Sequence, residues 1–175
     1  MNIEIKNIKF FDQMSEETNA FHASIYIDGK RVGEAKNDGK GGMTDYRAIH
    51  HDYLPLIKEA EEYCIQLPPL KFSDGGTLPM DFELYIDTEV ENFIKNRETA
   101  KMQKKILKYQ EDHIVFGTEL SFRMAYWTMA SKRRAPISFM LEKHPDAVKS
   151  KLAEIKAQLK LGERILNTNL PKELL

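Results

Sequence analysis

Four residues, Ile27-Asp28-Gly29-Lys30, constrain the fold of this chain more than any others. Asp and Gly both tolerate positive φ. Placed between strand-like segments, they supply the two central positions of a type I′ turn, whose twist matches that of the strands it joins. Upstream, Phe21, Ala23, Ile25 and Ile27 alternate with His22, Ser24, Tyr26 and Asp28, the period of a half-buried strand. The spacing predicts a hairpin from about Phe21 to Lys36. Nearer the start, Ile3 and Ile5 point one way and Ile8 and Phe10 the other, so the pattern changes phase near Asn7 and predicts a bulge or strand break.

Helices are expected farther on. From about Asp52 to Gln66, Leu54, Ile57, Ala60, Cys64 and Leu67 form one apolar stripe, with Pro55 in the first turn, where a missing N–H is tolerated. Leu67-Pro68-Pro69 ends it. Residues 71–77, with Gly75-Gly76, read as a linker or loop. A long helix follows Pro79 and runs towards Gln110. Phe82, Ile86, Val90, Phe93 and Ile94 pattern its first half, whereas Lys95 to Lys105 is polar. His113–Phe116 and Phe122–Met129 read as strands joined around Gly117-Thr118. Pro136 opens a short helix through Leu141, and Pro145 another carrying Val148, Leu152, Ile155 and Leu159. Gly162 sits where a helix-terminating residue belongs, and Arg164–Asn167 suits a short last strand. The expected class is α+β: an N-terminal antiparallel hairpin sheet packed with helices, a long central helix, a further hairpin and a C-terminal helix. The expected division is an acidic region 1–70, a loop 71–79 and a basic region 80–175, with one compact domain as the alternative.

Length and composition agree with a globular chain. Its 175 residues are 42% hydrophobic and 30% charged, enough to bury a core. Apolar runs stop at four or five residues, far below the ~20 of a membrane span. The N-terminal residues alternate charged and apolar, unlike a secretory signal. One cysteine, Cys64, precludes an intramolecular disulfide and suits a reducing compartment, so a cytoplasmic location is expected.

Charge is distributed unevenly. Residues 1–94 hold 9 Lys and Arg against 18 Asp and Glu, a formal −9, while residues 95–164 hold 16 against 8, a formal +8. Such asymmetry bears on partners rather than on fold. In the acidic half the outer face of the first helix is expected to carry Glu59, Glu61 and Glu62, a surface for a basic protein. In the basic half Lys101, Lys104, Lys105 and Lys108 share one side of a helix. Arg123, Tyr126, Trp127, Lys132, Arg133 and Arg134 mix cations with aromatics, as phosphate clamping and base stacking require. Against that stands an ordinary core for the aromatics and a solvated face for the lysines. The two halves can also pair with each other, within one fold or head to tail between copies.

A third place for chemistry is the glycine-rich loop of Asn37, Asp38, Gly39, Lys40, Gly41, Gly42, Thr44, Asp45 and Arg47. Glycines between a strand and a helix can turn successive N–H groups inward onto an anion. The segment matches neither G-x-x-x-x-G-K-[ST], nor G-x-G-x-x-G, nor an EF-hand loop, and a wide turn needing positive φ explains it as well. His50-His51 are adjacent, so their rings diverge, and no local spacing predicts a metal site. Cys64 lies in an apolar stripe, where a thiol is inert. Neither G-x-S-x-G nor H-E-x-x-H occurs. No catalytic residue, cofactor or metal is therefore assigned.

Two resemblances add expectations. Phe21 through Ala35 resembles the first hairpin of double-stranded-RNA-binding domains. The basic helix start of that family has no counterpart here, and Glu59, Glu61 and Glu62 would repel phosphate, so the resemblance implies the hairpin and not RNA binding. The whole chain loosely resembles small accessory proteins of bacteriophages and mobile elements, in its Ile-Asp-Gly-Lys hairpin, its Asn-Asp-Gly-x-Gly-Gly loop and the closing Ile165 to Leu170. That resemblance implies a host-modulating role in the host cytoplasm. The leading expectation is a non-enzymatic protein that binds a host partner through its acidic surface. Nucleic-acid binding by the basic half is the alternative, and a nucleotide- or small-molecule enzyme at the glycine loop is a weaker one.

Overall fold

In the computed structural model, which describes residues 1–175, Asp28 and Gly29 adopt φ of 49° and 80° and join strand β2 (Phe21–Ile27) to β3 (Lys30–Asn37). The pairing runs from Ile27–Lys30 at the turn to Phe21–Asn37, with Val32 as the extra residue of a bulge. Strand β1 (Ile3–Phe10) pairs with the other edge of β2, and its register shifts between Lys6 and Lys9. Asn7, at φ 54°, takes up the shift; asparagine tolerates the left-handed region better than most residues. The bulge returns Ile8 to the face already carrying Ile3 and Ile5, so all three meet the same core.

Strand β4 (Asp45–Ala48) completes an antiparallel sheet of order β1-β2-β3-β4. Helix α1 (Leu54–Ile65) starts after a 3₁₀ turn at His51–Tyr53, two residues later than its apolar stripe suggested. Ile57, Ala60 and Cys64 are buried, whereas Leu54 at the helix start is exposed. Gly33 permits this seating. A Cβ there would lie 2.8 Å from the Arg47 carbonyl oxygen and 3.2 Å from the Cδ1 atoms of Ile25 and Ile57.

Helix α2 (Phe82–Tyr109) is capped by Asp81, whose Oδ1 accepts from the Leu84 N–H at 2.8 Å. Phe82, Ile86 and Val90, one helical turn apart, are fully buried in the core of the four-stranded sheet. Strands β5 (Leu70–Lys71) and β6 (Thr77–Leu78) pair as a small hairpin. The chain forms two compact units, Met1–Lys95 and Asn96–Leu175. The β5–β6 hairpin of the expected 71–79 loop lies inside the first unit, and the boundary between the units falls within α2.

In the second unit, β7 (Ile114–Gly117) lies between β8 (Phe122–Ala125) and β9 (Arg164–Ile165), all antiparallel. Helices α3 (Ile137–Lys143) and α4 (Pro145–Gln158) supply Ile137, Met140, Val148, Leu152 and Ile155 to a core with Ile114 and Phe116. Strand β8 ends at Ala125, short of the expected Met129. Beyond it the chain folds back, the Met129 N–H donating to the Arg133 carbonyl and the Ala135 N–H to the Trp127 carbonyl. Past β9 the buried Asn167 side chain continues the ladder. Its Oδ1 accepts from the Val115 N–H at 2.6 Å, and its Nδ2 donates to the carbonyl of His113. Antiparallel sheets with segregated helices make the architecture α+β. No helix is long and apolar enough to cross a membrane.

Candidate functional site

The glycine-rich loop is held by one side chain. Asn37 Oδ1 accepts from the Thr18 hydroxyl and the Gly39 N–H, both at 2.9 Å, while Nδ2 donates to the Gly42 carbonyl and Thr44 Oγ1. All four hydrogen-bonding positions of the amide are filled. The Gly39 carbonyl in turn accepts from the N–H groups of Glu16, Glu17 and Thr18. Both Gly39 (φ 85°) and Gly41 (φ 83°) lie in the left-handed region, and a Cβ on Gly39 would come 2.2 Å from the Met14 carbonyl oxygen.

This arrangement turns the loop into a clasp on residues 14–18. The N–H groups of Gly39, Lys40 and Gly41 bond to Asn37, Asp38 and Thr18, so they do not converge on an anion. Lys40 projects into solvent. Arg47 lies on β4 with Nη2 2.6 Å from Glu34 Oε1, and Asp45 pairs with Lys36 across the strands at 3.4 Å. Of the expected ligand-loop residues, the structure unites Asn37, Gly39, Gly41, Gly42 and Thr44. It leaves Asp38 and Lys40 at the rim and gives Asp45 and Arg47 to the sheet. Geometry therefore favours the structural role.

What the loop adjoins is acidic. Thr44 donates from its N–H to Glu83 at 2.8 Å and from its hydroxyl to Asp87 at 2.6 Å. Burial pushes the Asp87 carboxyl above its usual range; the Thr44 hydrogen bond opposes this, and the charges of Glu83 and Glu91 add to it. Beside the clasp opens a hollow of about 330 Å³ bounded by Glu16, Glu17, Asp87 and Glu91, with no Lys, Arg or His on its wall. These acids were missed from sequence. Glu83, Asp87 and Glu91 stand at i,i+4 spacing on α2, a like-charge row that destabilises a helix and is a signal readable in the chain.

The expected glutamate face on α1 divides. Glu59 and Glu62 are exposed, but Glu61 is half-buried and accepts from the Tyr46 hydroxyl at 2.9 Å. Burial and that carboxylate push the Tyr46 phenol up to about 12. Elsewhere in the unit, burial raises the Cys64 thiol to about 11, so it is protonated and inaccessible.

In the second unit the expected cation–aromatic cluster also separates. Trp127 packs against the α3–α4 core. Arg123 lies over the Phe116 ring and bonds to Glu163 at 2.6 Å. Tyr126 is 53% exposed beneath the Arg134 guanidinium, which lies 5.1 Å from the ring centroid. Lys132, at φ 61°, and Arg133 are exposed at the turn. The four lysines of α2 are all exposed; Lys101 reaches Glu98 at 3.9 Å, and no carboxylate lies within 4 Å of Lys104, Lys105 or Lys108.

The charge asymmetry follows the architecture. Met1–Lys95 holds 10 Lys and Arg against 18 Asp and Glu, and Asn96–Leu175 holds 16 against 9. Each unit is a body of one predominant sign. No group of three or more His, Cys, Asp or Glu side chains is placed to hold a metal ion. Comparison with family models, curated proteins and solved structures finds no match for this chain.

Proposed function

We propose that this chain is a non-enzymatic accessory protein whose acidic unit docks onto a basic surface of a protein partner. One observation carries the reading. Of the 18 carboxylates in Met1–Lys95, only Glu4, Glu34 and Asp45 lie within 4 Å of a Lys or Arg side chain, and Asp52 lies against His50. The others present a negative field that fold-internal pairing does not neutralise, and such a field steers a positive partner into encounter. Two patches are available: Glu59 and Glu62 on the outer side of α1, and Glu16, Glu17 and Glu91 around the hollow. A bacterial host protein is the partner class implied by the resemblance to bacteriophage and mobile-element proteins, and the host cytoplasm is then the place of action.

The test begins with affinity capture from nuclease-treated bacterial lysate and continues with the purified partner. Stopped-flow association with the full chain is expected to slow steeply with added salt. Charge reversal at Glu59 and Glu62, or at Glu16, Glu17 and Glu91, is expected to lower the association rate by about tenfold or more, within the range of electrostatic steering. Tight binding indifferent to salt and to both sets of reversals would sink the proposal. So would capture that disappears with nuclease.

A further inference from the structure

Strand β8 is an edge of its sheet, and its two faces differ. Arg123 and Ala125 stand opposite Phe116 and Ile114, which belong to the α3–α4 core. Phe122 and Met124 stand opposite Gly117 and Val115 and so face the other way. Tyr126 continues their alternation one residue past the strand. On this second face Phe122 and Met124 share a groove of about 320 Å³ with Met102, Lys105 and Tyr109 of α2, and the Tyr109 and Phe122 rings meet edge to face at 6.2 Å. Met124 and Tyr126 are 42% and 53% exposed.

Cations flank this row on both sides. At about 100° per residue, Lys101, Lys104, Lys105 and Lys108 fall within roughly 100° of helix arc, with Lys105 in the groove wall. At the other end Arg134 lies over Tyr126. A groove walled by Tyr109 and Phe122, a row of exposed lysines of which only Lys101 has a carboxylate within 4 Å, and an arginine stacked on Tyr126 beyond the groove suit a ligand with flat apolar faces and a regularly charged backbone. We infer that this groove of the second unit binds single-stranded nucleic acid, the lysines meeting phosphates and Phe122, Tyr126 and Arg134 receiving bases. Duplex is disfavoured because its bases are already stacked on each other and cannot reach the rings. An acidic peptide would satisfy the lysines but would make little use of the exposed tyrosine.

The experiment is a fluorescence-anisotropy titration of labelled oligothymidylate and oligouridylate with the full chain. Binding is expected to weaken between about 50 and 200 mM salt with a log–log slope near −3, about −0.7 for each of four phosphate contacts. Replacing the four lysines by alanine is expected to flatten that slope. Tyr126→Ala is expected to weaken binding roughly fivefold or more, with Tyr126→Phe retaining it, because base stacking needs the ring and not the hydroxyl. All five positions are at the surface, and unchanged far-UV circular dichroism verifies that the variants fold. The inference is overturned by any of three results: no anisotropy change at low salt, duplex bound as tightly as single strand, or polyglutamate competing equally while Tyr126→Ala changes nothing. The last would assign the surface to an acidic protein. Because the site shares no residue with the acidic patches, its failure leaves the docking proposal standing, and the converse also holds.

Discussion

Replacing Asn37 by alanine tests whether the glycine-rich loop is a clasp or a ligand site. The substitution removes four hydrogen bonds at once. Their losses are unequal. Gly39 is buried, so its N–H is left without a partner, at about 1–3 kcal/mol. The Thr44 hydroxyl is buried too but keeps its bond to Asp87. Thr18 and Gly42 are accessible enough to regain water, so each of their bonds contributes only the ordinary net value of about 0.5–1.5 kcal/mol. Together these give about 2–6 kcal/mol, a large fraction of the ~5–15 kcal/mol that stabilises a typical domain. At a urea slope of about 2 kcal/mol/M, unfolding followed by far-UV circular dichroism should show the first unit's midpoint falling by about 1–3 M. Trp127, the sole tryptophan, lies in the second unit, so its fluorescence serves as an internal control that should stay unchanged. Amide exchange should quicken at residues 16–18 and 39–41 together. A midpoint lowered by less than about 0.3 M, with exchange unaltered, would refute the clasp. So would recovery of stability on adding phosphate or a nucleotide, because only a ligand site gains from its ligand.

Asn167→Ala makes the corresponding change in the second unit: the Val115 N–H and His113 carbonyl lose their buried partner, and the Trp127 unfolding transition should shift down by about 2–4 kcal/mol. Asp87→Asn is expected to raise the thermal midpoint of the first unit at neutral pH. Since the folded pKa lies above the unfolded one, the acid's favourable contribution is complete below about pH 4 and is lost as pH rises through the folded value. The gap between variant and parent should therefore open across that window and close again in acid; a gap of constant size would refute the desolvation argument. Gly33→Ala should destabilise the first unit by about 1–3 kcal/mol, because the contact at 2.8 Å is with the Arg47 carbonyl oxygen on the neighbouring strand, which cannot simply swing aside. Chemical denaturation checks it, and an unchanged midpoint would show that β4 adjusts freely.

The legible parts of this chain are those that local chemistry decides. Asp28-Gly29 could take the left-handed pair of φ angles that other residues avoid, and the change of phase at Asn7 required an extra residue in β1. The stripe through Ile57, Ala60 and Cys64 and the proline at 145 similarly marked α1 and α4. Strand β4 was not legible, because four residues after a glycine loop carry too little alternation to separate strand from loop. The unit boundary was also hidden. Gly75-Gly76 looks like a linker locally, and no residue near Lys95 breaks the helix that crosses the division. Charge alone marked the place, with its sign changing between residues 94 and 95. For the candidate site, tertiary pairing decided what spacing left open. Glu61 belongs to Tyr46 and Arg123 to Glu163, while Trp127 packs half-buried against a core. Tyr126, one residue away, stayed at the surface because alternation along β8 placed it on the opposite face.

The buried thiol of Cys64 has a practical consequence for measuring both surfaces. A protonated sulfur with no solvent exposure reacts very slowly with maleimide, so towards labelling reagents the folded chain behaves as one that lacks cysteine altogether. A reporter thiol introduced at Glu62 or at Lys132, both exposed, can then carry a dye alone, without first deleting the native residue and opening a cavity in the first core. One labelled protein would time the arrival of a protein partner and the other that of an oligonucleotide, each against the same unaltered interior.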